Sequence, residues 1–151
     1  ASKPIDPRTG KVWTYADLLA ADLEVAKAVR AAEVKGADEV RETIERTPRF
    51  AERVFTAAER AYCESRGAVA AQHYAARFAA KEAALKALQT GWRGGISWQD
   101  VEVASRESGA PYLILHGPVM ELFNSSGATA MHLSLSHTTE HAIAQVILEG
   151  T

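Results

Sequence analysis

The hydrophobic period of this chain changes once, at Gly94 and Gly95. Before that point apolar residues recur every three or four positions. After it they alternate. A helical pattern cannot sit on a pleated strand, nor an alternating one on a helix. The chain is therefore expected to place a run of helices before a run of strands, with one short helix inserted among the strands. That predicts an α+β fold: a mostly antiparallel sheet packed against a long helix. At 151 residues the chain suits one domain.

The first half reads as follows. Residues 1–12 are polar and carry Pro4, Pro7 and Gly10, which suits a loose arm. Leu18, Leu19, Leu23, Ala26 and Val29 or Arg30 give a helical pattern over residues 14–33, and Gly36 breaks it. A short helical or irregular piece at 39–46 ends before Pro48, and Phe50, Val54 and Phe55 form an apolar cluster. Thr56 and Glu59 have the spacing of a capping box, which opens a helix to about Ser65, with Gly67 closing it. Residues 69–88 are rich in Ala, Leu, Lys, Glu and Gln, the strong helix formers. Gly91, Gly94 and Gly95 stop that long helix.

The second half alternates. Strands are expected at 100–104 and 111–116, joined by a turn at Glu107-Ser108-Gly109-Ala110. A short helix at 118–124 has Pro118 near its start. Strands at 131–137 and 141–148 flank the tight link Thr138-Thr139-Glu140.

Bulk properties narrow the function. A net charge of −2 gives no general attraction to nucleic acid or a membrane surface. No apolar run reaches the roughly 18 residues of a membrane span. The N-terminal stretch lacks a signal-peptide core. Cys63 is the only cysteine, so no intrachain disulfide forms, which fits a reducing, cytoplasmic setting.

Two segments carry candidate chemistry. In Phe78-Ala79-Ala80-Lys81-Glu82-Ala83-Ala84-Leu85-Lys86-Ala87, Glu82 and Lys86 stand four apart on one helix. Such a pair is often a weak surface contact. Its functional reading gives Glu82 to a hard cation such as Mg²⁺, which favours carboxylate and phosphate oxygens. Lys81 and Lys86 then neutralise phosphate as point charges. In His132-Leu133-Ser134-Leu135-Ser136-His137, the period of two puts His132, Ser134 and Ser136 on one face, with Met131, Leu133, Leu135 and His137 on the other. His132 is a candidate general base, because an imidazole exchanges protons near neutral pH, although a structural histidine is the commoner outcome. Ser134 and Ser136 can donate hydrogen bonds to phosphate oxygens. His137 ends its strand beside Thr138, within reach of a ligand. His73, His116 and His141 show no zinc-ligand spacing and read as structural or surface residues. Trp13, Trp92 and Trp98 read as packing residues, and Cys63 as inert.

Together these segments resemble a known family. Phe78-x-x-Lys81-Glu82-Ala83-x-x-Lys86-Ala87 is similar to the signature of 4'-phosphopantetheinyl transferases, most closely the small holo-acyl-carrier-protein synthase type. Arg49-Phe50-Ala51-Glu52-Arg53-Val54-Phe55-Thr56-x-x-Glu59, the Gly109-x-Pro111 hairpin and His132-x-Ser134-Leu135-Ser136-His137-Thr138 resemble further pieces of that type, in order. The resemblance covers about residues 49–149. It implies transfer of the phosphopantetheine arm of coenzyme A to a serine of an apo acyl carrier protein or carrier domain, with Mg²⁺ and release of 3',5'-ADP. It makes residues 1–35 an N-terminal arm and helical extension, and 36–151 the transferase domain. By match, Glu82 binds Mg²⁺. Lys81, Lys86, Arg53, Arg77, Ser134, Ser136, His137 and Thr138 bind coenzyme A, and His132 activates the carrier serine. A homotrimer with coenzyme A between subunits is also implied, in a fatty-acid or polyketide pathway.

The N-terminus departs from that pattern. The family opens on a hydrophobic strand ending Gly-x-Asp, whose Asp is the second metal carboxylate. Gly36-Ala37-Asp38 matches the tripeptide, but Ala32-Glu33-Val34-Lys35 is a poor strand. Asp38 is favoured for the role over Asp22, which lies in a helical pattern. The family's basic carrier-docking helix has its counterpart in Arg41, Arg46, Arg49 and Arg53, interleaved with Glu42, Glu45 and Glu52. A non-catalytic protein that binds coenzyme A or a carrier, or an assembly subunit on the same scaffold, remains the alternative to an active enzyme.

Overall fold

The computed structural model describes residues 28–47, 49–88 and 95–150. Strand β1 is Ala28–Gly36, followed by helices α1 Ala37–Arg46, α2 Phe50–Val54 and α3 Ala57–Glu64. After a 3-10 turn at Gly67–Val69 comes the long helix α4, Ala70–Ala87. A 3-10 turn at Trp98–Asp100 leads into β2 Val101–Ser105 and β3 Pro111–Leu115. Helix α5 is Gly117–Ser125, and β4 Ala128–His137 and β5 His141–Gly150 complete the chain.

The strands form an antiparallel three-stranded sheet in the order β1-β5-β4 and a separate β2-β3 hairpin. Helix α4 lies between them. Its Ala75, Ala76, Ala79, Ala80, Ala83, Ala84 and Ala87 are all buried, and their small side chains let both layers approach the helix closely. Ala31, Val146 and Leu148 from the sheet and Val101 from the hairpin join Ala83, Ala84 and Leu85 in one core cluster. A second cluster gathers Val40, Val54, Phe55, Cys63 and Tyr74 around the other end of the helix. None of the described helices is long and apolar enough to cross a membrane.

The expected α+β arrangement with its antiparallel sheet and long helix is present. The capping box is present in full: Thr56 Oγ1 accepts from the Glu59 amide at 3.1 Å, and Glu59 Oε1 accepts from the Thr56 amide at 2.8 Å. The β2-β3 turn uses Gly109 at φ 91°, a conformation that L side chains rarely adopt.

One element differs. The helical pattern expected over residues 14–33 ends in a strand: β1 begins at Ala28 and pairs with β5 along its whole length, from Ala28↔Glu149 to Gly36↔His141. Alternation does exist there, but with its polarity reversed. Glu33 and Lys35 are half-buried on the α4 side, whereas Val34 is 54% exposed on the other. Residues 28–35 thus belong to the same sheet as β4 and β5. Residues 1–27, including Trp13 and Asp22, and the stretch 89–94 with Gln89, Gly91 and Trp92, lie outside the described residues.

Candidate active site

Strand β1 and helix α4 face each other with four charged side chains. The strand's period of two brings Glu33 and Lys35 to the helix, and the helix's four-residue spacing brings Glu82 and Lys86 to the strand. Lys35 Nζ lies 2.9 Å from Glu82 Oε2. Lys86 pairs with Glu33. Lys35 Nζ also sits 4.9 Å from the centroid of the Phe78 ring, one helical turn before Glu82. Among the described residues, Glu82 and Glu33 are therefore the carboxylates that this face offers. No group of three or more His, Cys, Asp or Glu side chains converges among the described residues. Two carboxylates nevertheless suit Mg²⁺, which completes its shell with waters and phosphate oxygens rather than with an all-protein cage.

Asp38 does not join this group. It lies in the first turn of α1 with its side chain 70% exposed, bonded to Arg41 at 2.7 Å. An acidic residue there complements the positive end of the helix, which accounts for it without a metal. The carboxylate brought to α4 from this part of the chain is Glu33.

Lys81 also departs from its expected role. Its side chain is fully buried, and Nζ donates to Glu59 Oε1 at 2.8 Å and to the carbonyls of Trp98 and Val101. An ammonium has three N–H bonds, and all three are used here. Burial lowers the Lys81 pKa, and the Glu59 carboxylate opposes that shift. Glu59 Oε2 accepts from the Val103 amide at 2.9 Å, so the pair ties α3, α4 and the β2-β3 hairpin together. A phosphate cannot reach this ammonium.

The β4 side of α4 carries a different group. Arg77 is almost fully buried, its guanidinium carbon 4.0 Å from the Tyr62 ring centroid, and Arg66 lies 4.4 Å from the same centroid. Arg77 Nε is buried with no hydrogen-bond partner among the described residues. His137 Nδ1 lies 2.8 Å from Gln72 Oε1, and its ring meets His73 edge to face at 4.7 Å. Burial first, then His137, Arg77 and Arg66, push His73 down to about 4. The cluster is basic, which favours an anion nearby, although the unpartnered Arg77 Nε is itself buried. The sequence points to Arg77 and His137. It does not point to Tyr62, Arg66, Gln72 or His73, although His73 stands four residues before Arg77 on one helix face.

The remaining expected residues divide by face. Leu133 and Leu135 of β4 pack toward α4, while His132, Ser134 and Ser136 are exposed on the far side of the sheet. His132 is 57% exposed, with Nε2 3.6 Å from Glu149 Oε1. Within one chain the sheet separates these three from Glu82 and Lys86. Thr138 shapes the β4-β5 turn, accepting from the Glu140 and His141 amides at 3.3 and 3.2 Å. Arg53 lines a pocket of about 620 Å³ with Phe50, Val54, Ile96, Trp98 and Gln99. Phe78 separates that pocket from Lys35, touching Phe50 and Trp98 edge-on at 5.6 and 5.3 Å. Cys63 is buried and its thiol pushed up to about 12, mainly by desolvation, so it is inert as expected.

Residues 34–146, more than half of the chain, match the family model of the 4'-phosphopantetheinyl transferase superfamily. The chain belongs to that superfamily. Among curated members of the transferase family, it is 48% identical over 101 residues to the holo-[acyl-carrier-protein] synthase of Koribacter versatilis, covering 67% of this chain and 80% of that one. It is 46% identical over 114 residues to the synthase of Solibacter usitatus, covering 75% and 90%. Among solved transferases, the synthase of Bacillus anthracis in complex with CoA (3',5'-ADP) superimposes with a TM-score of 0.66 at 32% identity, covering 81% of this chain and 96% of that one.

Proposed function

We propose that this protein is a holo-acyl-carrier-protein synthase: it moves the 4'-phosphopantetheine group of coenzyme A to a serine of an apo acyl carrier protein or carrier domain. The observation that carries this reading is the division of α4 into two flanks. The β1 flank bears the Glu33, Lys35, Glu82 and Lys86 group, and the β4 flank bears the basic cluster around Arg77 and His137. Lys35 and His137 occupy one cross-strand row on either side of Ala142, about 10 Å apart by strand spacing. A coenzyme A molecule carries both a diphosphate and a separate 3'-phosphate, and so has a use for both flanks.

In the reaction, the carrier serine Oγ forms a bond to the β-phosphorus of coenzyme A. The P–O bond to the α-phosphate breaks, and 3',5'-ADP leaves with the bond's electron pair. The serine proton passes to His132, directly or through water. Glu82 and Glu33 are the residues that would hold Mg²⁺, whose chemistry is to neutralise charge building on the phosphate oxygens. Lys86 and Arg53 balance the diphosphate, and Arg77 and His137 hold phosphate oxygens on the other flank. Catalysis here is alignment and charge neutralisation rather than covalent chemistry.

His132, Ser134 and Ser136 lie across the sheet from Glu82, so a site using both faces is completed between copies. A homotrimer with coenzyme A between subunits meets that need. The exposed Val34 and Ile143 on the same sheet face suit packing against a second copy. The carrier docks near Arg41, Arg46, Arg49 and Arg53, with no nucleic acid or membrane involved, in the cytoplasm.

Intact-mass spectrometry of an apo acyl carrier protein, incubated with this protein, coenzyme A and Mg²⁺, tests the reading. The expected result is a gain of one phosphopantetheine that a chelator abolishes. No gain on any carrier, from protein that still binds coenzyme A, would leave a binding protein in its place.

A further inference from the structure

The Glu82 carboxylate already has a cation. Lys35 Nζ is 2.9 Å from Glu82 Oε2, and the two side chains are only 23% and 24% exposed. That burial shields the pair from much of the solvent screening that weakens surface ion pairs. The ammonium has a second wall in the Phe78 ring, 4.9 Å away. Its backbone is fixed as well. Lys35 pairs with Ala142 in the sheet, and two residues later the Ala37 amide donates to the Glu140 carbonyl at 2.8 Å. Lys35 is thus a positive charge delivered to Glu82 by a strand held in register, not a chance meeting of two mobile side chains. Across the same face Lys86 compensates Glu33. Among the described residues of this face two acids stand against two bases, so an incoming divalent cation meets a Glu82 that Lys35 already compensates.

We propose that Lys35 is a tethered counter-ion that competes with the divalent metal for Glu82, and so sets the metal concentration at which the site loads. This rests on the metal role given to Glu82 above. Glu82 has two oxygens, but an ammonium and a metal ion held on one carboxylate stand a few ångströms apart and repel each other, so each weakens the other's binding. Loading is therefore favoured by a Lys35 that swings off Glu82. Its four-carbon stem permits this without moving the strand. With coenzyme A present, the released ammonium has diphosphate oxygens as alternative partners. Metal and coenzyme A should therefore load cooperatively, each easing entry of the other.

Binding of Mn²⁺, followed by the paramagnetic resonance signal of the free ion, tests this without turnover. It is measured with and without coenzyme A, with ion binding by coenzyme A alone subtracted. The proteins are wild type, Lys35→Met, Lys35→Arg and Glu82→Gln. Met keeps the apolar stem against Phe78 and removes the charge. Lys35→Met should bind Mn²⁺ roughly tenfold more tightly in the absence of coenzyme A, the scale expected for removing one ion pair and one cation–π interaction. It should also lose most of the cooperativity, while Lys35→Arg keeps the wild-type pattern. Equal or weaker Mn²⁺ binding by Lys35→Met, or no detectable binding by either protein under both conditions, overturns the proposal. Glu82→Gln separates the metal role from the competition. If it leaves Mn²⁺ binding unchanged, Glu82 is not a metal ligand, and both the metal assignment and the competition fall. If it abolishes binding while Lys35→Met changes nothing, only the competition falls.

Discussion

Helix α4 carries two kinds of Glu–Lys pairing, and burial separates them. Lys81 and Glu59 are fully enclosed, with every ammonium donor used and both carboxylate oxygens accepting. Lys35–Glu82 and Lys86–Glu33 have the same chemistry but stand at an edge that solvent reaches. The enclosed pair has no capacity left for a ligand and serves the fold. The edge pairs can exchange partners, so they can serve a metal or a phosphate. Residue type does not distinguish the two cases. Exposure to solvent does.

Four substitutions test that contrast. Lys81→Met should have the largest effect on stability, because it strands a buried carboxylate. A loss of about 3–5 kcal/mol is expected in urea unfolding. A loss below about 1 kcal/mol would place the pair with the edge ion pairs. Glu82→Gln should do the opposite. Turnover should fall roughly 10²–10³-fold, with stability changed by no more than about 1 kcal/mol. His132→Ala should lower the maximal rate about a hundredfold with little change in the KM for coenzyme A. A change confined to KM would make His132 a binding residue.

The smallest effect concerns pH. His73 is held down to about 4 in the folded chain, below its ordinary value of 6.5. Between those values the unfolded chain binds the extra proton. Stability contributed by neutral His73 is therefore full above pH 6.5 and is lost as pH falls toward 4. His73→Phe should flatten the stability profile across that window. A profile unchanged by the substitution would show that the ring is not held neutral.

Much of this architecture is legible in the sequence, and the exceptions share a cause. Helix α4, the capping box and strands β2 to β5 follow from local spacing, which a linear sequence displays directly. The outward row of His132, Ser134 and Ser136 also follows from a period of two. Strand β1 is hidden because its inward positions are Ala31, Glu33 and Lys35 while Val34 is exposed. The reversed pattern makes sense only once β5 fixes the register and α4 supplies partners for the charges. With β1 concealed, the sequence offers Asp38, in a matching tripeptide, and Asp22 for the second carboxylate, and does not point to Glu33. The burial of Lys81 leaves a fainter sign: Ala79, Ala80, Ala83 and Ala84 surround it, and a helix that small on several sides is enclosed.

The most direct measurement compares Glu33→Gln with Asp38→Asn in Mg²⁺-dependent transfer of phosphopantetheine to an apo acyl carrier protein, read by intact mass at equal folded concentration. Glu33 faces α4 beside Glu82, while Asp38 is exposed and bonded to Arg41. Glu33→Gln should lose about a hundredfold or more in rate, and Asp38→Asn should stay within roughly twofold of the parent, as a surface change does. A severe loss at Asp38 with near-normal transfer by Glu33→Gln would contradict the placement of the site between β1 and α4.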